Sequence, residues 1–162
     1  MTDEEQIENG QPETELVRED ANDVLNACVS YAKRMLRRYG EFGPFGFAMN
    51  LEGDVKMESI AQQDMPADPA MLLELLQQQL TERAKRGNLR TAASASNVTM
   101  QKVSDEGYGD AIMVDIEHQS GYCVKAFVPY RITGGQFFGF FPRVVRFGGI
   151  RTQEGTARLF AR

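Results

Sequence analysis

The chain has 162 residues, of which 42% are hydrophobic and 25% charged, with a formal net charge of −5. That length suits one domain with a true core, and no apolar run approaches the roughly 18 residues of a membrane span. Two cysteines, Cys28 and Cys123, are too few for a disulfide framework, and the acidic opening stretch lacks the basic and apolar regions of a secretory signal, so a cytoplasmic location is expected.

The charge is unevenly spread. Residues 1–20 carry eight acids against Arg18, whereas residues 131–162 carry six arginines and the single acid Glu154. Such a gradient suits either an acidic tail that folds back on a basic end or a basic end used by an anionic partner. Residues 1–18 show no apolar period and are expected as a disordered acidic tail, followed by a single domain over 19–162.

From Asp20 the pattern becomes helical. Val24, Cys28, Ala32, Met35 and Tyr39 recur at helical steps, and Leu25, Val29 and Leu36 widen the stripe. Lys33, Arg34, Arg37 and Arg38 fill the last two turns, where cations complement the helix dipole, and Gly40 stands where a C-terminal glycine belongs. The basic cluster is thus first a helix-end feature, with a phosphate or nucleic-acid role as its alternative.

"GEFGPFGFAMNLEGDVKMESIA" predicts a β-hairpin. A three-residue loop, Leu51-Glu52-Gly53, sets Asn50 opposite Asp54, Met49 opposite Val55 and Phe47 opposite Met57, giving one apolar face. Next comes a helix with Asp68 as N-cap and Pro69 in its first turn. Leu72, Leu75, Leu76 and Leu80 form its buried stripe, and Gly87-Asn88 ends it. "LRTAASASNVTMQKV" reads as a third strand rich in small residues, and "SDEGYGD" as a loop.

"DIEHQSGYCVKAFVPYR", Asp115 to Arg131, holds the only histidine five residues before Cys123. A two-residue loop would mix polar and apolar faces. A three-residue loop, Gln119-Ser120-Gly121, pairs Ile116 with Val124, Val114 with Ala126 and Ile112 with Val128. Asp115 then faces Lys125, and Glu117 faces Cys123. In this register His118 lies opposite Tyr122 on the apolar face and Cys123 points to the other, so a Cys-His nucleophile pair is not expected. Asp115, Glu117, His118 and Lys125 are the candidate polar site; two carboxylates two apart on a strand could hold a divalent cation beside a lysine, as in some metal-dependent enzymes. No multi-histidine set, Cys-x-x-Cys, dinucleotide or phosphate-loop motif is present, so neither a resident metal nor a cofactor is expected.

Residues 133–162 form a segment rich in Phe, Gly and Arg. Phe137, Phe138, Phe140 and Phe141 cannot all lie on one face of one strand. They either complete the core or form an interface, and they are the interface candidates for a protein partner or a homodimer. A surface for single-stranded nucleic acid is a third reading, disfavoured by the acidic chain as a whole, whose pI is about 5.0.

"FGPFGFAMNLEGDVKM", the capped leucine helix and "DIEHQSGYCVKAFVPYR" together resemble a family of small bacterial proteins of uncharacterised function, over roughly residues 40–132. The resemblance implies a fold and no activity. The order α-β-β-α-β-β-β predicts an α+β domain of two layers, an antiparallel sheet with both main helices on one face, similar in order to profilin-like or roadblock-like scaffolds. The expected function is a non-catalytic protein-interaction module; a metal-dependent enzyme using the strand carboxylates and a small-ligand sensor are the alternatives.

Overall fold

A computed structural model of the chain describes residues 11–100, 107–135 and 141–160. Helix α1 spans Gln11–Tyr39, and β1 (Phe45–Asn50) and β2 (Val55–Met57) follow. A short 3-10 turn at Gln62–Asp64 leads to α2 (Pro69–Lys85). The chain then runs through β3 (Leu89–Thr99), β4 (Asp110–His118), β5 (Cys123–Thr133), β6 (Val144–Phe147) and β7 (Arg151–Glu154). The fold is α+β, and its one antiparallel sheet has the order β2-β1-β3-β4-β5-β6, with β7 also on β5. Among the described residues no helix is long and apolar enough to cross a membrane.

Both hairpins adopt the registers that their apolar patterns require. Met49 pairs with Val55 and Phe47 with Met57 in the first. Ile116 pairs with Val124, Val114 with Ala126 and Asp115 with Lys125 in the second. Gly53 and Gly121 close their loops at φ +94° and +97°, a conformation that a side chain would strain.

The two helices do not share a face. Val24, Cys28, Ala32 and Leu36 of α1 pack with Phe45, Met49, Ala93, Ala95, Ile112, Val114 and Ile116. Leu80 of α2 packs with Ala48 and Ala92, which alternate with that set, and with Leu89, which the register shift at Met49/Asn50 brings to the same side, so α2 lies on the opposite side. The expectation of both helices on one face is thereby corrected. Its reason lies in β3, where residues from Leu89 to Ser96 are buried on both sides except the half-buried Arg90. Ala and Ser are poor strand formers, and they occur here because two helices press on the same strand.

α1 starts earlier than expected. Residues 11–18, read as part of the tail, are helical, and residues 1–10 lie outside the described residues. From Thr14 to Glu19 only Val17 is even partly covered, and Asp20 is the first buried residue of the helix. The opening of α1 therefore projects beyond the sheet as an arm of more than one turn.

The terminal segment completes both sides. β6 pairs with the end of β5, from Tyr130↔Phe147 to Thr133↔Val144, and β7 with its beginning, from Val124↔Glu154 to Phe127↔Arg151. Gly148, Gly149 and Ile150 thus face only Val128 and Pro129, an insertion of one residue that breaks the strand. Leu159 then folds onto the α2 side, where it is buried with Leu80 and Ala92. Of the interface candidates, Phe137, Phe138 and Phe140 lie outside the described residues; Phe141 is 55% exposed.

Replacing Ala93, fully buried beneath α1, with Leu should destabilise the fold by about 1–3 kcal/mol through overpacking. Urea unfolding checks this, and an unchanged midpoint would mean that α1 does not press on β3.

Candidate functional site

The four residues of the predicted polar site separate. Asp115, Glu117 and Lys125 occupy the α2 side of the sheet, and His118 the α1 side, as strand alternation requires. Glu117 is buried and already employed. Its Oε1 accepts from the Arg158 N–H at 2.8 Å, and its Oε2 accepts from Leu159 N–H at 2.9 Å and Phe160 N–H at 3.4 Å. The carboxylate pins the chain end to the sheet. Asp115 Oδ1 lies 3.6 Å from Lys125 Nζ, the cross-strand pair that the register predicted. The cavity beside them, shared with Gln77, Ser94 and Arg158, measures about 20 Å³, barely room for one water. Two Glu117 oxygens engaged by main-chain N–H groups leave this pair poorly disposed to hold a cation.

His118 belongs to a second cluster, which the sequence reading missed. Its Nε2 donates to Asp20 Oδ2 at 3.0 Å, and Arg90 Nη2 donates to Asp20 Oδ1 at 2.7 Å. On the other ring nitrogen, Nδ1 accepts the Ser120 N–H at 3.0 Å and lies 2.8 Å from its Oγ. Asp20 and His118 are only 7% and 6% exposed. The one sequence signal was the position of Asp20, four residues before Val24 at the head of the stripe that continues through Cys28, Ala32 and Leu36.

An Asp-His-Ser chain invites comparison with a hydrolytic triad, and the surrounding amides argue against one. Acyl transfer needs spare N–H donors for the oxyanion. Gln119 N–H donates to Arg90 O on β3, Gly121 N–H to His118 O and Tyr122 N–H to Ser120 Oγ, so the donors of the turn are already engaged. The chain of contacts instead locks α1, β3 and the second hairpin together.

Neither cysteine is set up as a nucleophile. Burial pushes the Cys28 thiol up to about 12. The Cys123 thiol is raised by burial and by the charges of Glu117 and Glu154, and its Sγ donates to Gly121 O at 3.4 Å, on the face away from His118. A thiol held above its ordinary range has little thiolate at neutral pH.

A second opening is a groove of about 790 Å³ between the outer face of α1 and the described ends of the β5–β6 connection, Gly135 and residues 141–143. Ser30, Lys33, Arg34, Arg37 and Arg38 line one wall, and Gly135, Phe141, Pro142 and Arg143 the other. Among the described residues this lining holds five cations and no carboxylate. Arg143 Nη1 donates to Arg38 O at 3.0 Å, capping the end of α1 and tying the walls together. The turn that allows this is tight: a Cβ on Gly134, at φ +87°, would fall 2.1 Å from Pro142 O. Arg34 and Arg38 lie 5.5 and 5.3 Å from the ring centres of Tyr31 and Tyr39, which steadies their guanidinium groups over apolar surface.

Asp20→Ala should destabilise the protein by about 3–5 kcal/mol in urea unfolding, since it leaves Arg90 and His118 without their shared acceptor; a change below about 1 kcal/mol would deny the cluster its locking role. Under native conditions Ellman's reagent should label Cys123 slowly and Cys28 only after denaturation. Prompt modification of both thiols would contradict the burial of Cys28. Compared with known proteins, the chain matches no family model, no curated protein and no solved structure.

Proposed function

We propose that this chain is a non-catalytic protein-interaction module whose cationic groove receives an acidic polypeptide segment. The observation that carries this reading is the groove lining itself: among the described residues, five cations without a carboxylate, beside the exposed Phe141. Cations gathered at a helix end satisfy its dipole, but Arg143 adds to the same field from a separate element about 100 residues away, which the dipole does not require. Charge of one sign within a concave surface raises the local concentration of an oppositely charged partner and speeds its encounter. An apolar ring at the wall supplies area that charge alone does not. The engaged Glu117 and the fully engaged donors of the turn around Ser120 support a binding role over a chemical one. Two unpaired cysteines on different elements accord with a reducing compartment, the cytoplasm.

A fluorescein-labelled poly-glutamate peptide tests this reading by anisotropy. Binding should weaken about tenfold in Arg34→Glu/Arg37→Glu, fall as salt rises through about 0.1 M, and be unaffected by Lys56→Glu on β2. Absence of binding at low salt to a chain whose groove is open would overturn the reading. Equal or tighter binding of single-stranded DNA would replace it with a nucleic-acid surface.

A further inference from the structure

Resting on that reading, we infer that the acidic segment received by the groove is the projecting arm of α1 from a second copy of this chain, the two α1 helices pairing antiparallel about a two-fold axis at Asn26.

The outward stripe of α1 carries the argument. Glu15, Glu19, Asn22, Asn26, Ser30, Lys33 and Arg37 are all exposed and follow one another at steps of four and three, so they form one continuous ridge. The ridge is acidic at one end, neutral and small at its middle, and basic at the other. Within one molecule these ends cannot meet, because a helix holds Glu15 and Arg37 about 33 Å apart, several times the Debye length of about 8 Å at physiological salt. Turning a second copy end for end about Asn26 brings them together. Glu15 then faces Arg37 of the second copy, Glu19 faces Lys33, Asn22 faces Ser30, and Asn26 meets its own equivalent. Every contact except that of Asn26 with itself occurs twice.

A second observation agrees and does not depend on charge. Leu16, on the arm, is 60% exposed, and Phe141, on the groove wall, 55%. Leu16 lies 18 residues before Arg34, five helical turns, so the two point to the same flank of α1. That is the flank on which the groove lies. A two-fold axis perpendicular to the helices keeps the flanks on one side, which delivers Leu16 of the second copy into the groove at the level of residue 36, beside Arg38 and the wall bearing Phe141. Arg18, which comes level with Arg34 in this pairing, is carried to the opposite flank, about 160° round the helix. The small residues Asn22, Asn26 and Ser30 at the centre leave room for the helices to approach. The arm, exposed along most of its length in its own molecule, gains a place.

The test is a charge swap within one chain, read by sedimentation equilibrium at low salt and micromolar concentration. The wild type should sediment at twice 18.2 kDa. Arg37→Glu and Glu15→Arg should each weaken association about tenfold or more, because each breaks two symmetric pairs. The double variant Glu15→Arg/Arg37→Glu should recover it, since the reversed charges again face each other. All these positions are exposed, and circular dichroism should show the fold unchanged. A wild type that stays monomeric at about 200 µM, where a Kd tighter than that would show, overturns the inference. So does a dimer that survives both single reversals, or one that the double variant fails to restore. Poly-glutamate binding to Glu15→Arg, whose groove is open and intact, separates the two levels: binding without dimerisation leaves the interaction module standing and removes the second copy as its occupant, whereas neither removes both.

Discussion

The carboxylate of Asp20 determines where α1 belongs to the core and where it leaves it. With one oxygen it accepts from His118 at the end of β4 and with the other from Arg90 at the start of β3, residues 98 and 70 positions away. A buried carboxylate is tolerated only when its lone pairs are satisfied, so this contact fixes both the rotation and the axial position of the helix. One residue earlier the helix is solvent-exposed. The arm, the outward ridge and the height of the groove above the sheet all follow from the level at which Asp20 is held.

The second constraint is the thinness of β3. With Ala92, Ser94 and Ser96 toward α2 and Ala93 and Ala95 toward α1, the central strand presents little bulk on either side, and the helices come close to the backbone. Gly46 continues this on β1, where a Cβ would stand 3.0 Å from Ala93 O and 3.6 Å from Leu80 Cδ1. Glu58, buried at the end of the first hairpin, accepts from Gln79 Nε2 at 2.7 Å and pairs with Arg83, so α2 is tied down by polar contacts where small side chains offer little apolar area. The aromatic residues gather instead on the α1 side, with Tyr31 4.5 Å and Phe42 5.8 Å from the ring of Phe45.

How much of this was legible depends on the distance over which each feature is encoded. Both hairpins could be read in full, because loop length and alternation are local and a one-residue slip would have inverted every apolar side chain. The N-cap of α2 was equally local: Asp68 Oδ1 accepts from Ala70 N–H at 3.0 Å. The side of the sheet that each helix covers was not, since an amphipathic stripe states that a face is buried without stating against what. β3 holds that information in its unbroken run of small residues, which by itself marks a strand without saying that both its sides are covered. Of the polar site, Asp115 and Lys125 meet as their register required, but His118 was grouped with them by sequence proximity, and its true partners come from α1 and β3. The groove was divided in the same way. Its basic helix end was visible and explained by the dipole, while Arg143 reaches Arg38 across 105 residues that no local pattern spans.

The interrupted strand formed by β6 and β7 has a consequence for how molecules of this protein avoid one another. A sheet border is a row of open donors and acceptors that another chain can extend, and the remedy is to make that border short, kinked or charged. Here one border is β2, three residues long, and the other is broken by the extra residue at Gly148–Ile150, with Arg146 before the break and Arg151 after it. Among the described residues neither border offers a straight run on which a foreign strand could template itself, so fibrillar growth is discouraged at both ends of the sheet.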